Sequence, residues 1–431
     1  MLKKICLGSM LFISSFLGAQ GLEDWYASFS EAAGIDPNAG ATTFLTLVIP
    51  LGGRYQAMAG AYTAVAKDSG FLEANPAGSS ILTETELSIF HNDWIGDSRM
   101  EGLIFSIRQG DFGLGFGAKL LYIPFTGINN WGERYQNAWS NEYAKGYYTE
   151  AVATANLSYN FFSNYYFHGL TVGGNFKIAH RGVPEALAQN QSALSVILDL
   201  GVLTKFNVLK FYPSSIRNFS LGATLRNLGF PVSGDPLPSS MVLGMAWLPI
   251  RPLTLSADIT IPILLSEEFS LGNFGGLTLG GSSVELPSLA VGMDLALTSF
   301  FALQAGLQLK TGAPRITAGA SVALEKLTLN VNYSLDLASR FALFDRISVE
   351  VKLNLGDLGR QEAQDRGREF YLNGLDFYAQ GRLSEAVAQF EKSVELYPGL
   401  LPAQDMLITA RKTLELQDRM EALQIFDTTV E

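Results

Sequence analysis

Three histidines, His91, His168 and His180, are the only imidazoles in this 431-residue chain. A zinc site gathers three or four nitrogen, sulfur or carboxylate ligands, and a hydrolytic triad sets a His beside a nucleophile. These three stand far apart, in or beside segments that read as strands, and predict neither. The one cysteine, Cys6, falls in the N-terminal apolar stretch, so no thiolate site or disulfide is expected after it. The run Gly113-Leu114-Gly115-Phe116-Gly117 lacks the Lys and the following helix of a phosphate loop, and reads as strand glycines that allow curvature. Asp258, Asp294, Asn330, Asn332, Asp336, Glu350 and Lys352 share the polar parity of alternating segments. Paired carboxylates among them could do acid–base work, but a hydrogen-bonded polar lining is the expected role. No enzyme activity, cofactor or metal is predicted.

The elements that would carry these residues alternate with period two. In residues 326–336, KLTLNVNYSLD, Leu327, Leu329, Val331, Tyr333 and Leu335 point one way and Thr328, Asn330, Asn332, Ser334 and Asp336 the other. A soluble sheet would bury the apolar side, whereas a membrane barrel would give it to lipid and line a lumen with the polar side. Several features favour the barrel. Charged residues make up only 16% of the chain, against about a quarter in soluble domains, and glycines number 43. No run of about 18 apolar residues follows the N-terminus, so a membrane crossing would need strands. Lys3, Lys4, the apolar run to Phe16 and the small residues Gly18 and Ala19 read as a secretory signal over residues 1–19. The net charge of −11 excludes a basic nucleic-acid surface.

About fourteen antiparallel strands are expected, at residues 84–90, 101–108, 112–123, 148–161, 169–180, 193–206, 218–227, 239–248, 253–261, 289–297, 301–310, 315–324, 326–336 and 347–355. Their connections alternate between tight turns, such as 109–111 and 298–300, and longer loops, such as 124–146 and 263–287, as in bacterial outer-membrane barrels. Two break the rhythm, since 207–217 is long and 311–314 short. Six rings crowd residues 159–167, as expected of an interfacial girdle.

From residue 357 the composition turns charged and the apolar spacing helical. Residues 370–398 read as two helices about a Gly381 turn, stopped by Pro398, with Gly374 and Ala386 allowing close approach and Phe370, Phe377 and Phe390 filling the seam. This resembles a tetratricopeptide repeat, with Asn373 in place of the usual Leu and Ser393 in place of the usual Ala. A third helix is expected over residues 403–425.

Before the strands, residues 52–80 combine a small-residue helix expected over 55–66 with Asn75-Pro76-Ala77-Gly78, a compact segment able to thread a barrel. MAGAYTAVAKD followed by NPAG resembles the N-terminal hatch of the FadL-type outer-membrane long-chain fatty-acid transporter family and its spirochaete relatives. The resemblance covers residues 52–355. It implies a fourteen-stranded outer-membrane barrel plugged by this segment, passing long-chain fatty acid or another hydrophobic ligand, with Asn75, Pro76, Ala77 and Gly78 as the matched positions. The helices after residue 355 depart from that pattern.

The expected organisation is thus a signal peptide (1–19), an N-terminal hatch segment (20–83), an all-β transmembrane barrel among outer-membrane lipid (84–356) and a small periplasmic α-helical domain (357–431). Loop aromatics Trp94, Trp131, Tyr135 and Trp139 could capture ligand or simply pack their loops. The alternative function is a scaffold or secretion component that recruits a periplasmic protein through the helices.

Overall fold

The computed structural model describes residues 42–94, 98–126, 145–164, 167–184, 190–212, 217–265, 277–279, 286–310, 314–336 and 344–428. The expected signal peptide, Cys6, Trp131, Tyr135 and Trp139 lie outside the described residues.

Fifteen strands are described: β1 (Glu86–Asp93), β2 (Arg99–Gln109), β3 (Phe112–Thr126), β4 (Lys145–Phe161), β5 (Leu170–Gly182), β6 (Ala193–Phe206), β7 (Phe219–Leu228), β8 (Ser240–Ile250), β9 (Leu253–Leu265), β10 (Leu277–Leu279), β11 (Ser288–Ala296), β12 (Phe301–Leu309), β13 (Arg315–Ala323), β14 (Leu327–Asp336) and β15 (Phe344–Asn354). All except β10 form a closed ring of fourteen in chain order, each antiparallel to both neighbours, with β15 returning to pair with β1. The short β10 extends the edge of β9 in a long loop. Each expected strand is present, its ends shifted by a few residues. Closure leaves no edge strand, as a membrane-spanning sheet requires.

The ring is polar inside and apolar outside. On β14, Leu329, Val331 and Tyr333 are 37%, 43% and 41% exposed, while Asn330, Asn332 and Ser334 are 2%, 2% and 1% exposed. The same alternation on the other strands gives a continuous outward band of Leu, Val, Ile and Phe, which is the surface of a membrane barrel. Near the tight turns, Phe112, Phe161, Phe162, Phe167 and Phe300 are exposed at one rim, and Phe112, Tyr159 and Phe161 meet edge to face.

Residues 42–85 fill the lumen. They hold a short α1 (Gly53–Ala57), α2 (Phe71–Ala74) and two 3-10 turns, Leu45–Leu47 and Pro76–Ile81. The helix expected over 55–66 is corrected: it ends at Ala57, and Ala59 (φ 54°), Gly60 (φ 85°) and Ala66 (φ 32°) turn the chain instead. A helix would satisfy its own N–H groups. Here local turns satisfy most of them and the wall adds to these, Asp258 on β9 accepting from the N–H groups of Tyr62 (3.1 Å) and Thr63 (2.9 Å).

Beyond Asn354 follow α3 (Arg360–Ala379), α4 (Leu383–Leu396) and α5 (Leu401–Thr428). Gly381, at φ 74°, makes the turn between α3 and α4. Phe390, Ala386 and Ala410 form the buried seam with Tyr371, Leu375 and Phe377 against them. A Cβ on Gly374 would lie 2.6 Å from the Phe390 ring, so close approach there requires glycine. Phe370 departs from expectation: it lies outside that cluster, beneath the Lys392 ammonium at 5.6 Å, and Tyr371 takes the seam position. Ser393 is buried because its hydroxyl donates to the Gly367 carbonyl at 2.7 Å. Pro398 follows the end of α4.

Candidate functional site

The matched motif sits at the contact between the inner segment and the wall. Asn75 is fully buried; its Nδ2 donates to the carbonyls of Thr63 (2.9 Å) and Val202 on β6 (3.0 Å), and its Oδ1 accepts from the Ala77 N–H (3.1 Å). One amide therefore ties two turns of the inner segment to each other and to the barrel, and caps the 3-10 turn that Pro76 opens. Asn156 on β4 donates to the Pro76 carbonyl at 2.9 Å. Gly78 has no room for a side chain: a Cβ would stand 2.5 Å from the Phe71 Cβ and 2.8 Å from the Ala66 carbonyl.

The wall answers with its own glycines. A Cβ at Gly173 would come 2.4 Å from the Pro76 carbonyl, one at Gly201 2.2 Å from Asn75 Oδ1, and one at Gly222 2.4 Å from the Thr63 carbonyl. Gly113, Gly115 and Gly117 likewise face Ser79, Phe71 and Leu72. Their reading as curvature glycines is corrected: they are missing side chains that make room for the inner segment, for its backbone at Gly113 and for the Phe71 and Leu72 side chains at Gly115 and Gly117.

Around this contact runs a polar seam. Lys67 pairs with Asp294 on β11 at 2.7 Å; Ser69 donates through N–H to Glu86 (3.0 Å) and through Oγ to Glu350 (2.9 Å); Lys352 stands 3.4 Å from Glu86 and 3.8 Å from Asp68. Of the expected lumen residues, Asp258, Asp294, Asn330, Asn332, Glu350 and Lys352 are buried in this way, and Asp336 has no described side chain. Burying these charges is tolerable only because each gains partners, at least one of them on the inner segment: Asp258 has Tyr62 and Thr63, Asp294 has Lys67, Glu350 has Ser69 and Lys352 has Asp68. Among the described residues no three metal-ligating side chains gather. His91, on β1, pairs with Glu101 at 2.8 Å.

On the long-loop side of the inner segment lies a cavity of about 730 Å³. One side is the apolar run Leu45, Leu47, Val48, Ile49, Pro50 and Leu51, with Val152 and Ile263 from the wall and Leu237 from the β7–β8 loop. The rest carries Glu73, Lys119, Lys177, Arg226, Lys310, Arg315 and Arg346. Lys119 is bound to Glu73 (2.6 Å) and Lys177 to Asp199 (2.7 Å). Trp94 lines the cavity with the Arg346 guanidinium 5.5 Å over its ring, so this one loop aromatic is brought to the site.

Two parts of the cavity were missed in the sequence. The run Leu45–Leu51 was visible as FLTLVIPL, an apolar stretch ahead of the hatch-like motif. Arg226 and Asn227 were hidden by a bulge. The β6–β7 register passes from Leu198↔Leu228 to Leu200↔Leu225, setting both residues opposite Asp199. Asn227, at φ 56°, gives its N–H to Asp199 (2.8 Å), and two successive side chains reach the cavity.

Comparison with known proteins gives both relatives and fold neighbours. A protein of Treponema pallidum (strain Nichols), described as a UPF0164 protein, is 30% identical over 413 residues, covering 93% of this chain and 90% of its own. A second from the same organism, with the same description, is 24% identical over 413 residues, covering 88% and 78%. Among solved structures, the CymD monoaromatic hydrocarbon channel aligns with a TM-score of 0.47 at 12% identity over 73% of this chain and 99% of that one. A Pseudomonas aeruginosa FadL homologue aligns at 0.45 and 14%, over 71% and 99%. The family model described as "Uncharacterised protein family (UPF0164)" matches residues 25–357, the inner segment and the whole barrel, and the chain belongs to that family.

Proposed function

We propose that the protein carries hydrophobic molecules, long-chain fatty acids first among them, across an outer membrane, with residues 42–85 as its hatch. The observation that carries this reading is the cavity. Its volume falls within the range of roughly 300–1,000 Å³ usual for small-molecule sites, its apolar side suits an acyl chain, and the hatch closes the lumen beneath it. An acyl chain leaves water for such a surface with a gain of about 0.8 kcal/mol per buried methylene. The basic side chains beside the apolar run suit a carboxylate at the end of that chain. The hatch-like MAGAYTAVAKD and NPAG support the same reading, as does a signal-like N-terminus.

In this reading the long loops face the exterior and the tight turns the periplasm, which places α3–α5 in the periplasm, where a tetratricopeptide-like pair could hold a protein partner. Vesicles containing the purified protein should take up radiolabelled palmitate faster than empty vesicles, and the purified protein should bind it. Absence of both effects removes the proposal.

A further inference from the structure

Arg226 differs from the paired cations of the cavity. Its guanidinium donates to Thr224 Oγ1 (3.2 Å), Tyr55 Oη (3.2 Å), Thr63 Oγ1 (2.8 Å) and the Ala74 carbonyl, all of them neutral acceptors. Among the described residues it makes no ion pair: Asp199 is bound to Lys177, and Asp258 gives one oxygen to the Tyr62 and Thr63 N–H groups. Three of the four acceptors, on Tyr55, Thr63 and Ala74, belong to the inner segment. The same side chain lines the cavity, beside Tyr55 and Asn227.

A guanidinium held only by neutral oxygens gains when an anion replaces them, because the carboxylate adds charge–charge attraction and a two-pronged fit to hydrogen bonds the guanidinium already makes. We propose, building on the transport reading, that Arg226 both recognises the anionic end of the cargo and clasps the inner segment with one guanidinium. An anionic head at the cavity floor competes with Thr63, Ala74 and Tyr55 for the same N–H groups. Taking them loosens the clasp around residues 55–74, whereas a neutral ligand of equal length fills the apolar side and leaves the clasp closed. The bulge gives this site its geometry, since it brings Arg226 and Asn227 to the cavity together and fixes the Asn227 N–H on Asp199.

The test compares oleate with oleyl alcohol at pH 8, on the full-length protein in detergent, reading affinity and the amide exchange of residues 55–74. The wild type should bind oleate about tenfold more tightly than the alcohol, and only oleate should speed exchange in that segment. Arg226→Met should bring the two affinities together and raise exchange without ligand. Arg226→Lys keeps the charge and loses the planar fork, so it should retain much of the oleate preference while its ligand-free exchange rises; this variant decides the matter if the first does not fold. Equal binding of oleate and alcohol by the wild type, or unchanged ligand-free exchange in Arg226→Lys, overturns the proposal alone. Binding of neither probe overturns the transport reading and this proposal together.

Discussion

Asn330 in the barrel and Phe390 in the C-terminal helices are sealed from solvent to almost the same degree, 2% and 0% exposed, for opposite reasons. Asn330 is buried on the polar side of its strand and donates to Glu350 at 2.6 Å, while its neighbour Val331 looks outward. Phe390 is buried among Tyr371, Leu375 and Ala386, while the charged Glu391 and Lys392 beside it look outward. The two regions are folded inside out relative to each other. The barrel turns its polar groups inward, onto one another and onto residues 42–85, and its apolar side chains outward; the helices bury apolar groups against each other and turn charge outward. Glycine serves both, since Gly173 admits the Pro76 carbonyl and Gly374 admits the Phe390 ring.

The sharpest way to break this comparison is to substitute on each side of it. Phe390→Ala empties the helical seam and should cost about 3–5 kcal/mol of helix packing, read as an early loss of ellipticity at 222 nm on heating. The barrel's heat-shifted mobility on gels should stay as in the wild type; loss of the barrel as well would show that the two regions are not separate in this way. Val331→Arg sets a charge on the outward band and should cost about 2–4 kcal/mol near the bilayer midplane, measured by reversible folding into vesicles. Asn332→Ala, one residue along and inward, should cost about 1 kcal/mol, the scale of its single bond to Ser348. A larger cost for the inward change would invert the assigned faces.

How far the two regions could be read in the sequence follows the same division. Period-two alternation is a local property of the chain, so the strands and the inward side of Asp258, Asn330 and Glu350 were legible in the order of residues alone. Gly374 and Ala386, small residues at helical spacing on either side of the Gly381 turn, made the helix pair legible too. What the inner segment does was not local. Residues 58–66 have helical composition, yet Asp258, Ser256 and Thr317 on the wall bind that stretch and its flanks, and the helix stops at Ala57. Gly113, Gly115 and Gly117 read as curvature because nothing in β3 says what will approach them. The inward setting of Asn227 depends on a register slip that alternation cannot foresee.

A smaller effect sharpens the role of glycine in the wall. Gly173 and Gly174 are neighbours on β5, but an added Cβ at Gly173 would stand 2.4 Å from the Pro76 carbonyl, and one at Gly174 would meet its nearest atom, the Asp199 carbonyl, at 3.3 Å. Gly173→Ala should cost about 1–3 kcal/mol by overpacking and raise amide exchange over residues 71–81. Gly174→Ala should leave that exchange at the wild-type level. Equal effects would mean that the inner segment does not press on the wall at this point.

The smallest expected effect lies where the two regions join. Asp357, between β15 and α3, is partly exposed, and its carboxylate accepts from the N–H groups of Gln361 (2.6 Å) and Gly359 (3.1 Å). These bonds favour the charged form, chiefly the one from Gln361, and hold its pKa below the ordinary value of 3.8. Because the folded value is the lower one, the carboxylate's contribution is complete above the unfolded pKa near 4 and is lost as pH falls through the depressed value. The bond also sits at the start of α3, where negative charge suits the helix N-terminus. Asp357→Ala should therefore speed Gln361 amide exchange relative to the wild type at pH 6, after correction for intrinsic rates. The difference should shrink on going from pH 4 downward, and identical exchange at pH 6 would show that α3 begins without this carboxylate.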